Sequence, residues 1–270
     1  MAREKLKNLV ILILVLANLF LLALVVPTRL SDRNIQARAA DALSQLYAQA
    51  GVTLHAEDIP RSKALQAMEL PAPDALEALR VFLGDRLLTQ PDGTVTSPLG
   101  TAVLAENGTF SVTLEQNIPT DDALAHAEDL LKQLGLSVHT LHAAPSGGGE
   151  TVTATLRLAG APLLTQNLTL RYEDGCLASA KGLPLGEDAA YAVGSEGGVS
   201  AVDALMAFLR SRMDTGWMGA SVLSVTQGYD CTWDAVRQLW LLEPAWQIRT
   251  DSGDYLVDAM TCAVKNVTQM

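Results

Sequence analysis

The chain has 270 residues, of which 49% are apolar and 18% are charged. This length allows one or two domains with a hydrophobic core, and it excludes a disulfide-stapled miniprotein or a low-complexity fibre. The formal net charge is −11, and only one of the 30 acidic residues, Glu4, falls within the first 30 positions. A negatively charged surface repels the phosphate backbone of nucleic acids, so nucleic-acid binding is disfavoured.

The longest apolar stretch runs from Leu9 to Val26 and is interrupted only by Asn18. As a helix it would span about 27 Å, close to the roughly 30 Å hydrocarbon thickness of a bilayer. A cleavable signal peptide usually has a shorter apolar region and small residues at the cleavage site, whereas this stretch runs into Pro27. We therefore predict an uncleaved transmembrane anchor over residues 9–26.

The flanking charges predict the orientation of this anchor. Arg3, Lys5 and Lys7 precede it, and short basic tails usually stay in the cytoplasm while long domains are translocated. The sequence therefore predicts a single-pass protein of the cell membrane, with residues 1–8 as a cytoplasmic tail and the bulk of the chain outside.

Asn18 lies near the middle of the predicted span. An amide at this depth lacks water and finds a hydrogen-bond partner on another helix. On a helix it shares one side with Leu14, Leu21, Leu22 and Val25. We predict that this transmembrane stripe binds a partner helix, either of another protein or of a second copy of the chain.

The membrane-proximal region, residues 32–118, is predicted to begin with an amphipathic helix over Asp32–Ala50 that ends at Gly51. A second helix is predicted over Pro73–Leu83. Further on, Asn107-Gly108 separates two runs of strand-forming residues, and because both residues tolerate positive φ, this dipeptide predicts a β-hairpin.

The remainder predicts two copies of one unit, each a helix followed by four antiparallel strands. The units, residues 119–182 and 199–264, are joined by a linker over Gly182–Gly198. In the first unit the helix covers 120–134, capped by Thr120, and the strands cover 136–143, 151–158, 162–172 and 176–181. In the second unit the helix covers 201–213, capped by Ser200, and the strands cover 220–228, 235–242, 244–250 and 254–260.

The predicted strands have one apolar and one polar side. In the second strand of the first unit, the apolar side is Val152, Ala154, Leu156 and Leu158, and the polar side is Thr151, Thr153, Thr155 and Arg157. An apolar side must be covered, and the two helices are the available cover. The expected class is therefore α+β: a single N-terminal transmembrane helix, then an extracytoplasmic part with two helix-plus-four-strand antiparallel units.

The sequence contains no motif of a nucleophilic, metal-dependent or nucleotide-binding enzyme, so we predict no catalytic, cofactor-binding or metal-binding residues. The tetrapeptide Gly194–Gly197 has the wrong spacing for a nucleophile turn. His139 and His142 are three apart, and on a strand their side chains would point to opposite sides. Asp251, Asp254 and Asp258 are interpreted as turn formers on a solvated surface.

The aromatic and sulfur residues also favour structural roles. Trp233, Trp240 and Trp246 are interpreted as core and edge packing. The three cysteines are interpreted as small buried residues. Cys231 and Cys262 could instead form a disulfide if this part is extracytoplasmic, which would leave Cys176 over.

Several segments resemble the YycI/YycH family: Lys5–Ile11, Leu16–Leu22, Leu242–Ile248 and Gly253–Ala259. Members of this family are single-pass regulators that act beside the sensor histidine kinase of a cell-wall-controlling two-component system in Gram-positive bacteria. The last hairpin is also similar to PepSY-type modules.

The resemblance implies a non-enzymatic, membrane-anchored extracytoplasmic regulator without a cofactor. Its expected partners are the sensor histidine kinase and a sister regulator, contacted through the transmembrane helix and the outer domain. The alternative is an anchored PepSY-like module that binds or inhibits a secreted peptidase or cell-wall enzyme. An anchored hydrolase is a third alternative, but its motif is missing.

Overall fold

A computed structural model describes most of the chain beyond the N-terminal segment, covering residues 37–61, 65–186, 190–194, 197–215 and 219–267. The chain divides into two compact units, Met1–Ile59 and Pro60–Met270. Among the described residues, no helix combines the length and the apolar character needed to cross a membrane. The predicted tail 1–8 and anchor 9–26 lie outside the described residues.

The described part of the first unit consists mainly of one helix, α1, over residues 37–49. The chain leaves the helix at Gly51, whose positive φ of 73° suits a residue without a side chain. Leu43 and Tyr47 are buried, as expected for the apolar side of an amphipathic helix. The helix is therefore confirmed over the described positions, and a short turn of 3₁₀ helix follows at Ala56–Asp58.

Three α-helices lie in the described part of the second unit, and a polar side chain caps the start of each. The Asp74 carboxylate accepts a hydrogen bond from the Leu76 amide at 3.1 Å, and the Asp122 carboxylate accepts one from the Ala125 amide at 3.1 Å. The Ser200 hydroxyl accepts one from the Asp203 amide at 3.2 Å. Asp122, rather than the predicted Thr120, is thus the cap of the middle helix. The helices are α2 (Ala75–Leu83), α3 (Ala123–Gln133) and α4 (Ala201–Thr215).

Fourteen strands in the described chain form one mixed sheet. The main path through the sheet is β10-β1-β12-β11-β8-β9-β5-β4-β3-β2, with β7 and then β6 attached to β8, and β13 and then β14 attached to β12. The strands are β1 (Met68–Pro71), β2 (Leu88–Thr89), β3 (Thr94–Ser97), β4 (Gly100–Leu104), β5 (Phe110–Pro119), β6 (Val138–Ser146), β7 (Gly149–Leu158), β8 (Ala161–Glu173), β9 (Cys176–Gly182), β10 (Tyr191–Ala192), β11 (Val222–Asp234), β12 (Leu239–Thr250), β13 (Gly253–Asp258) and β14 (Val264–Asn266).

The predicted hairpin at Asn107-Gly108 is confirmed. Leu104 pairs with Phe110 across it, and Gly108 has a φ of 81°. The Asn107 side-chain oxygen accepts a hydrogen bond from the Thr109 amide at 3.0 Å. This turn sets the register of β4 against β5, which places the side chains of Phe110, Val112 and Leu114 in the core.

The alternation of apolar and polar residues along the strands is also confirmed. The four apolar side chains predicted for β7 are no more than 1% exposed, whereas Thr151, Thr153 and Thr155 are half-buried on the opposite side. Ala127, Leu130 and Leu131 of α3 are buried in the same core cluster. This helix therefore covers the apolar side of the strands, as predicted.

β8 joins the two halves of the sheet. Near its start, Leu163 pairs in parallel with Tyr229 of β11, and near its end, Thr169 pairs with Lys181 of β9. Between these points β8 bulges, because its residues 163–166 lie opposite the single residue Leu156 of β7. One strand thus serves two partners in succession.

The prediction of two separate antiparallel units, and with it the expected fold class, is wrong. The strands of both segments belong to one mixed sheet. β5 and β1, from the preceding part of the chain, pair with β9 and β12, and β8 pairs with β11 in parallel. An isolated four-stranded unit would leave unpaired backbone groups at its edges, and these strands supply their partners.

The predicted break between strands at Pro244 is wrong as well. β12 runs through this proline without interruption, and the turn lies earlier, between Asp234 and Leu239. On the edge of β12 away from β11, β1 pairs as far as Leu242 and β13 pairs from Ala245. Because Pro244 falls between these two partners, its missing N–H interrupts no ladder on that edge.

We predict that Gly228→Ala destabilises the second unit by about 1–3 kcal/mol, because an added methyl group overpacks the contact of β11 with β8. A Cβ atom at this position would lie 2.8 Å from the Leu164 side chain and would also meet the Pro162 carbonyl oxygen. Gly186→Ala is the control, since open space surrounds it. Urea unfolding gives the stability of both variants. Equal midpoints would contradict the close approach of β11 to β8 at Gly228.

Candidate functional site

The side of β3–β9 that faces away from the core carries rows of hydroxyl groups. Register aligns Thr94, Val103, Ser111, Lys181, Thr169, Thr153 and His142 in one row across seven strands. A second row contains Thr96, Thr101, Thr113, Ser179, Arg171, Thr151 and Ala144. We call this surface the hydroxyl face; its side chains are exposed or half-buried.

The hydroxyl face also carries positive charge. Arg157, Arg171 and Lys181 are all exposed on it, and Arg171 forms an ion pair of 2.8 Å with Glu173. This charge stands out in a chain with a formal net charge of −11. A surface of hydroxyl groups and cations can form hydrogen bonds with a macromolecule and attract acidic groups on it.

The outer side of β11–β14 is acidic by contrast. Asp230, Glu243, Asp254 and Asp258 lie on this side, as the register of the strands requires. Lys265 donates a hydrogen bond to the Asp230 carboxylate at 3.0 Å, and this bond raises the pKa of the lysine. The two halves of the sheet thus present opposite charge to solvent.

The junction of β8 and β11 is held by side-chain hydrogen bonds. The Thr165 hydroxyl accepts a bond from the Cys231 amide at 2.8 Å and donates one to the Asp230 carboxylate at 3.1 Å. The Cys231 thiol is buried, and burial raises its pKa to about 12. A thiol of this kind stays protonated and is a poor nucleophile, so the junction is structural.

An open cleft of about 500 Å³ lies beside this junction. Thr165, Asn167, Gln247 and Asp254 supply its polar groups. Asn167 accepts a hydrogen bond from Thr155 at 2.9 Å, and Asp254 contacts Arg249 at 3.5 Å. The lining offers hydroxyl, amide and carboxylate groups, which can hold a polar ligand by hydrogen bonds.

A buried carboxylate joins three distant segments of the chain. Glu69 on β1, only 8% exposed, accepts two hydrogen bonds from the guanidinium of Arg237, at 2.6 and 2.7 Å. It also accepts one from the Tyr191 hydroxyl at 3.1 Å. The hydrogen bonds from Arg237 lower the pKa of Glu69, against the effect of burial. We call this group the Glu69 clamp.

Two of the three acidic residues near the last hairpin, Asp251 and Asp258, form turns as predicted, whereas Asp254 lies on β13. Asp251 accepts hydrogen bonds from the Ala220 amide at 2.9 and 3.1 Å, and these bonds lower its pKa. Asp258 accepts bonds from the Met260 and Thr261 amides at 2.7 and 2.9 Å. Both carboxylates therefore shape turns.

The tryptophans pack as the sequence predicts. The Trp246 side chain is fully buried, and its indole N–H donates to the Val199 carbonyl at 3.0 Å. Trp240 is 3% exposed and donates to the Asn107 carbonyl at 2.8 Å. Its ring lies 5.5 Å from that of Trp233. All of these contacts stabilise the core and its edge.

The remaining predicted residues are placed as follows. The transmembrane stripe of Leu14, Asn18, Leu21, Leu22 and Val25 lies outside the described residues. His142 lies on the hydroxyl face, whereas His139 sits at a bulge of β6. The three cysteines are free thiols. In the part of the chain that the structure covers, His, Cys, Asp and Glu side chains form no group of three or more that could hold a metal ion.

Sequence reasoning missed the Glu69 clamp and the Thr165 junction. A signal for the clamp exists in the run Met68-Glu69-Leu70, where a single carboxylate interrupts apolar residues and therefore needs a partner when buried. Its partner, Arg237, lies 168 positions away, and nothing local identifies it. Thr165 gives no such signal.

Comparison with known proteins identifies no family. No family model matches the chain, and no curated protein matches it. Its structure is similar to the crystal structure of an uncharacterized protein from Eubacterium rectale, with a TM-score of 0.47 and 11% sequence identity over 75% of this chain and 86% of that chain. A likeness at this level carries no argument about function.

We predict that Glu69→Gln lowers the free energy of unfolding more at about pH 7 than at about pH 3. Because the pKa of Glu69 is lowered in the folded chain, its contribution is complete above the unfolded value of about 4.3. It is lost as the pH falls through the folded pKa. Urea midpoints followed by tryptophan fluorescence measure the effect.

The control for this experiment is Glu77→Gln. Glu77 forms a 2.8 Å ion pair with Arg80, but its side chain is 68% exposed, so its loss should change stability little at either pH. An effect of Glu69→Gln that is equal at both pH values would contradict the role assigned to the carboxylate charge.

Proposed function

We propose that this chain is a non-enzymatic, membrane-anchored regulatory protein. In this proposal its outer part binds the sensor histidine kinase of a cell-wall-related two-component system, together with a sister regulator. The resemblance of several segments to the YycI/YycH family supports the choice of partner. The anchor over residues 9–26 would place the sheet outside the cell, next to the outer part of the kinase.

The observation that carries the proposal is the hydroxyl face. It extends over seven strands in register and is accessible to solvent. Exposed polar surfaces of this kind suit contact with another macromolecule better than catalysis, which requires an enclosed, desolvated site. Arg157 and Lys181 on this face would attract an acidic surface of the kinase.

The transmembrane stripe would supply the second contact. Interhelical hydrogen bonds in membranes contribute about 0.6 kcal/mol on average, enough to fix the register of two helices but not to hold them together. The outer contact must therefore supply most of the affinity. Regulation would follow from a kinase helix whose position depends on what the outer face binds.

We predict that replacing residues 9–26 with an unrelated transmembrane helix abolishes regulation of the kinase, because the stripe around Asn18 is lost. Asn18→Leu should weaken regulation in the same direction. Phosphate transfer from the kinase to its response regulator, measured with both full-length membrane proteins in one vesicle preparation, reports the effect. Unchanged regulation by the anchor swap would favour the alternative, an anchored inhibitor of a secreted peptidase or cell-wall enzyme.

We predict that the double charge reversal Arg157→Glu and Lys181→Glu weakens binding to the kinase by about tenfold or more, because it replaces attraction with repulsion. The matched control is Arg86→Glu with Arg210→Glu, which changes the net charge equally at exposed positions off this face. Affinity is measured by titration of the full-length proteins in vesicles. Equal losses for both pairs would contradict a contact through the hydroxyl face.

A further inference from the structure

β6 is the long open edge of the sheet. It covers Val138–Ser146 and pairs with β7 on one side; no other described strand pairs with it. The other outermost strands, β2, β10 and β14, have only two or three residues each. A long edge strand presents a row of free backbone N–H and C=O groups, which can pair with another strand.

The side chains of Thr140–Ala144, between the bulge at His139 and Pro145, carry no charge that would protect this edge. Natural edge strands usually carry lysine or other charged residues that prevent pairing with another chain. β6 has the sequence VHTLHAAPS and contains no Lys, Arg, Asp or Glu, although the chain as a whole has 49 such residues. Its freedom from charge sets β6 apart in a chain whose formal net charge is −11.

The regular part of β6 is symmetric about His142. At the start of the strand, the register with β7 shifts at His139, between Val138 and Thr140. Near the end, Pro145 has no N–H to donate. The segment free of bulge and proline is therefore Thr140–Ala144, and His142 is its central residue.

The two sides of this segment differ in a way that suits self-pairing. Leu141 and Ala143 are half-buried and pack against the core, so each keeps apolar surface that an added strand would cover. Thr140 and His142 are exposed on the opposite side, in the rows of the hydroxyl face. An antiparallel partner strand must offer the same alternation.

We propose that β6 pairs with β6 of a second copy of this chain, antiparallel and about a two-fold axis at His142. In this register Leu141 lies opposite Ala143 of the second copy, and Thr140 lies opposite Ala144 of the second copy. The two His142 side chains meet at the axis. The sheets of both copies then continue as one sheet, and the hydroxyl face doubles in extent.

The symmetry of Thr140–Ala144 about His142 favours a second copy over other occupants, because an antiparallel copy offers the matching alternation, and the absence of charge permits its approach. Two chains with a formal net charge of −11 repel each other over most of their surface. The segment Thr140–Ala144 places no carboxylate against its copy, so it is a position where two copies can approach closely. A foreign strand would have to offer the same alternation of apolar and polar side chains.

The pairing is expected to be weak in dilute solution, since five residues a side bury far less than the roughly 1,600 Å² of a standard interface. Anchoring both copies in one membrane would raise their effective concentration and favour the dimer. This last step rests on the proposed anchor, whereas the pairing itself goes beyond the proposed function.

The test is disulfide trapping of the full chain in the cell fraction that contains it. His142→Cys should give a covalent homodimer under mild oxidation, because the two side chains meet at the axis. Thr153→Cys is the matched control: it lies opposite His142 on β7 and on the same side of the sheet, but one strand away from the edge. The parent chain measures the background of its three cysteines.

A second measurement separates pairing from random collision. His142→Lys and His142→Glu should each weaken self-association by about fivefold, since like charges then face each other at the axis. A mixture of the two variants should restore it. Thr153→Lys should have no such effect. Sedimentation of the purified full chain in detergent gives the association constants.

The proposal is overturned if His142→Cys and Thr153→Cys give equal amounts of covalent dimer, or if the Lys and Glu variants associate no better when mixed than alone. An adduct of His142→Cys with a different protein, without the homodimer, would also overturn it and identify another occupant of the edge. None of these readouts involves the kinase, so a failed kinase contact leaves the result of this test unaffected.

Discussion

The structure depends on one constraint: β8 must pair with two strands in succession along the same edge. Its start pairs with β11 and its end with β9. The bulge over residues 163–166 interrupts the ladder of β8 with β7. Within it, the Thr165 hydroxyl accepts the hydrogen bond of the Cys231 amide on β11. Gly228 permits the close approach, because its missing side chain leaves room for the Pro162 carbonyl and Leu164. Without this junction the described strands would form two separate sheets.

The junction also determines how charge is distributed over the outer surface. Because β8 continues from one half of the sheet to the other, the hydroxyl face and the acidic side of β11–β14 meet at the open cleft beside Thr165. Lys265 and Thr165 both bond to Asp230 at this border, so one of the carboxylates is neutralised where the two surfaces meet. A partner that binds across the border would contact cations on β7–β9 and carboxylates on β12 and β13, which favours one orientation over its reverse.

Local features of the fold could be predicted from the sequence. Asn107-Gly108 predicted its hairpin because turn chemistry is local: Gly108 adopts a positive φ, and the Asn107 side chain accepts a hydrogen bond from the Thr109 amide. The alternation in β7 predicted which side is buried, since a strand repeats every two residues. The break predicted at Pro244 was wrong because a proline does not by itself end a strand. Its effect depends on whether a neighbouring strand needs a backbone N–H at that position. In β12 no neighbour on that edge needs this N–H, because Pro244 falls between the ends of β1 and β13. These two strands come from distant parts of the chain.

The Glu69 clamp shows why the remainder of the site could not be predicted. A buried carboxylate is costly until a cation and further donors surround it, and here these come from Arg237 and Tyr191. Arg237 lies in the turn between β11 and β12 and reaches Glu69 because β12 pairs with β1, whereas Tyr191 lies on β10, which pairs with the other edge of β1. The side-chain pairing is therefore a consequence of the strand order, which no local pattern encodes. Periodicity and turn chemistry do not predict non-local pairing of this kind. Each strand is compatible with several neighbours, and only the assembled sheet selects one of them.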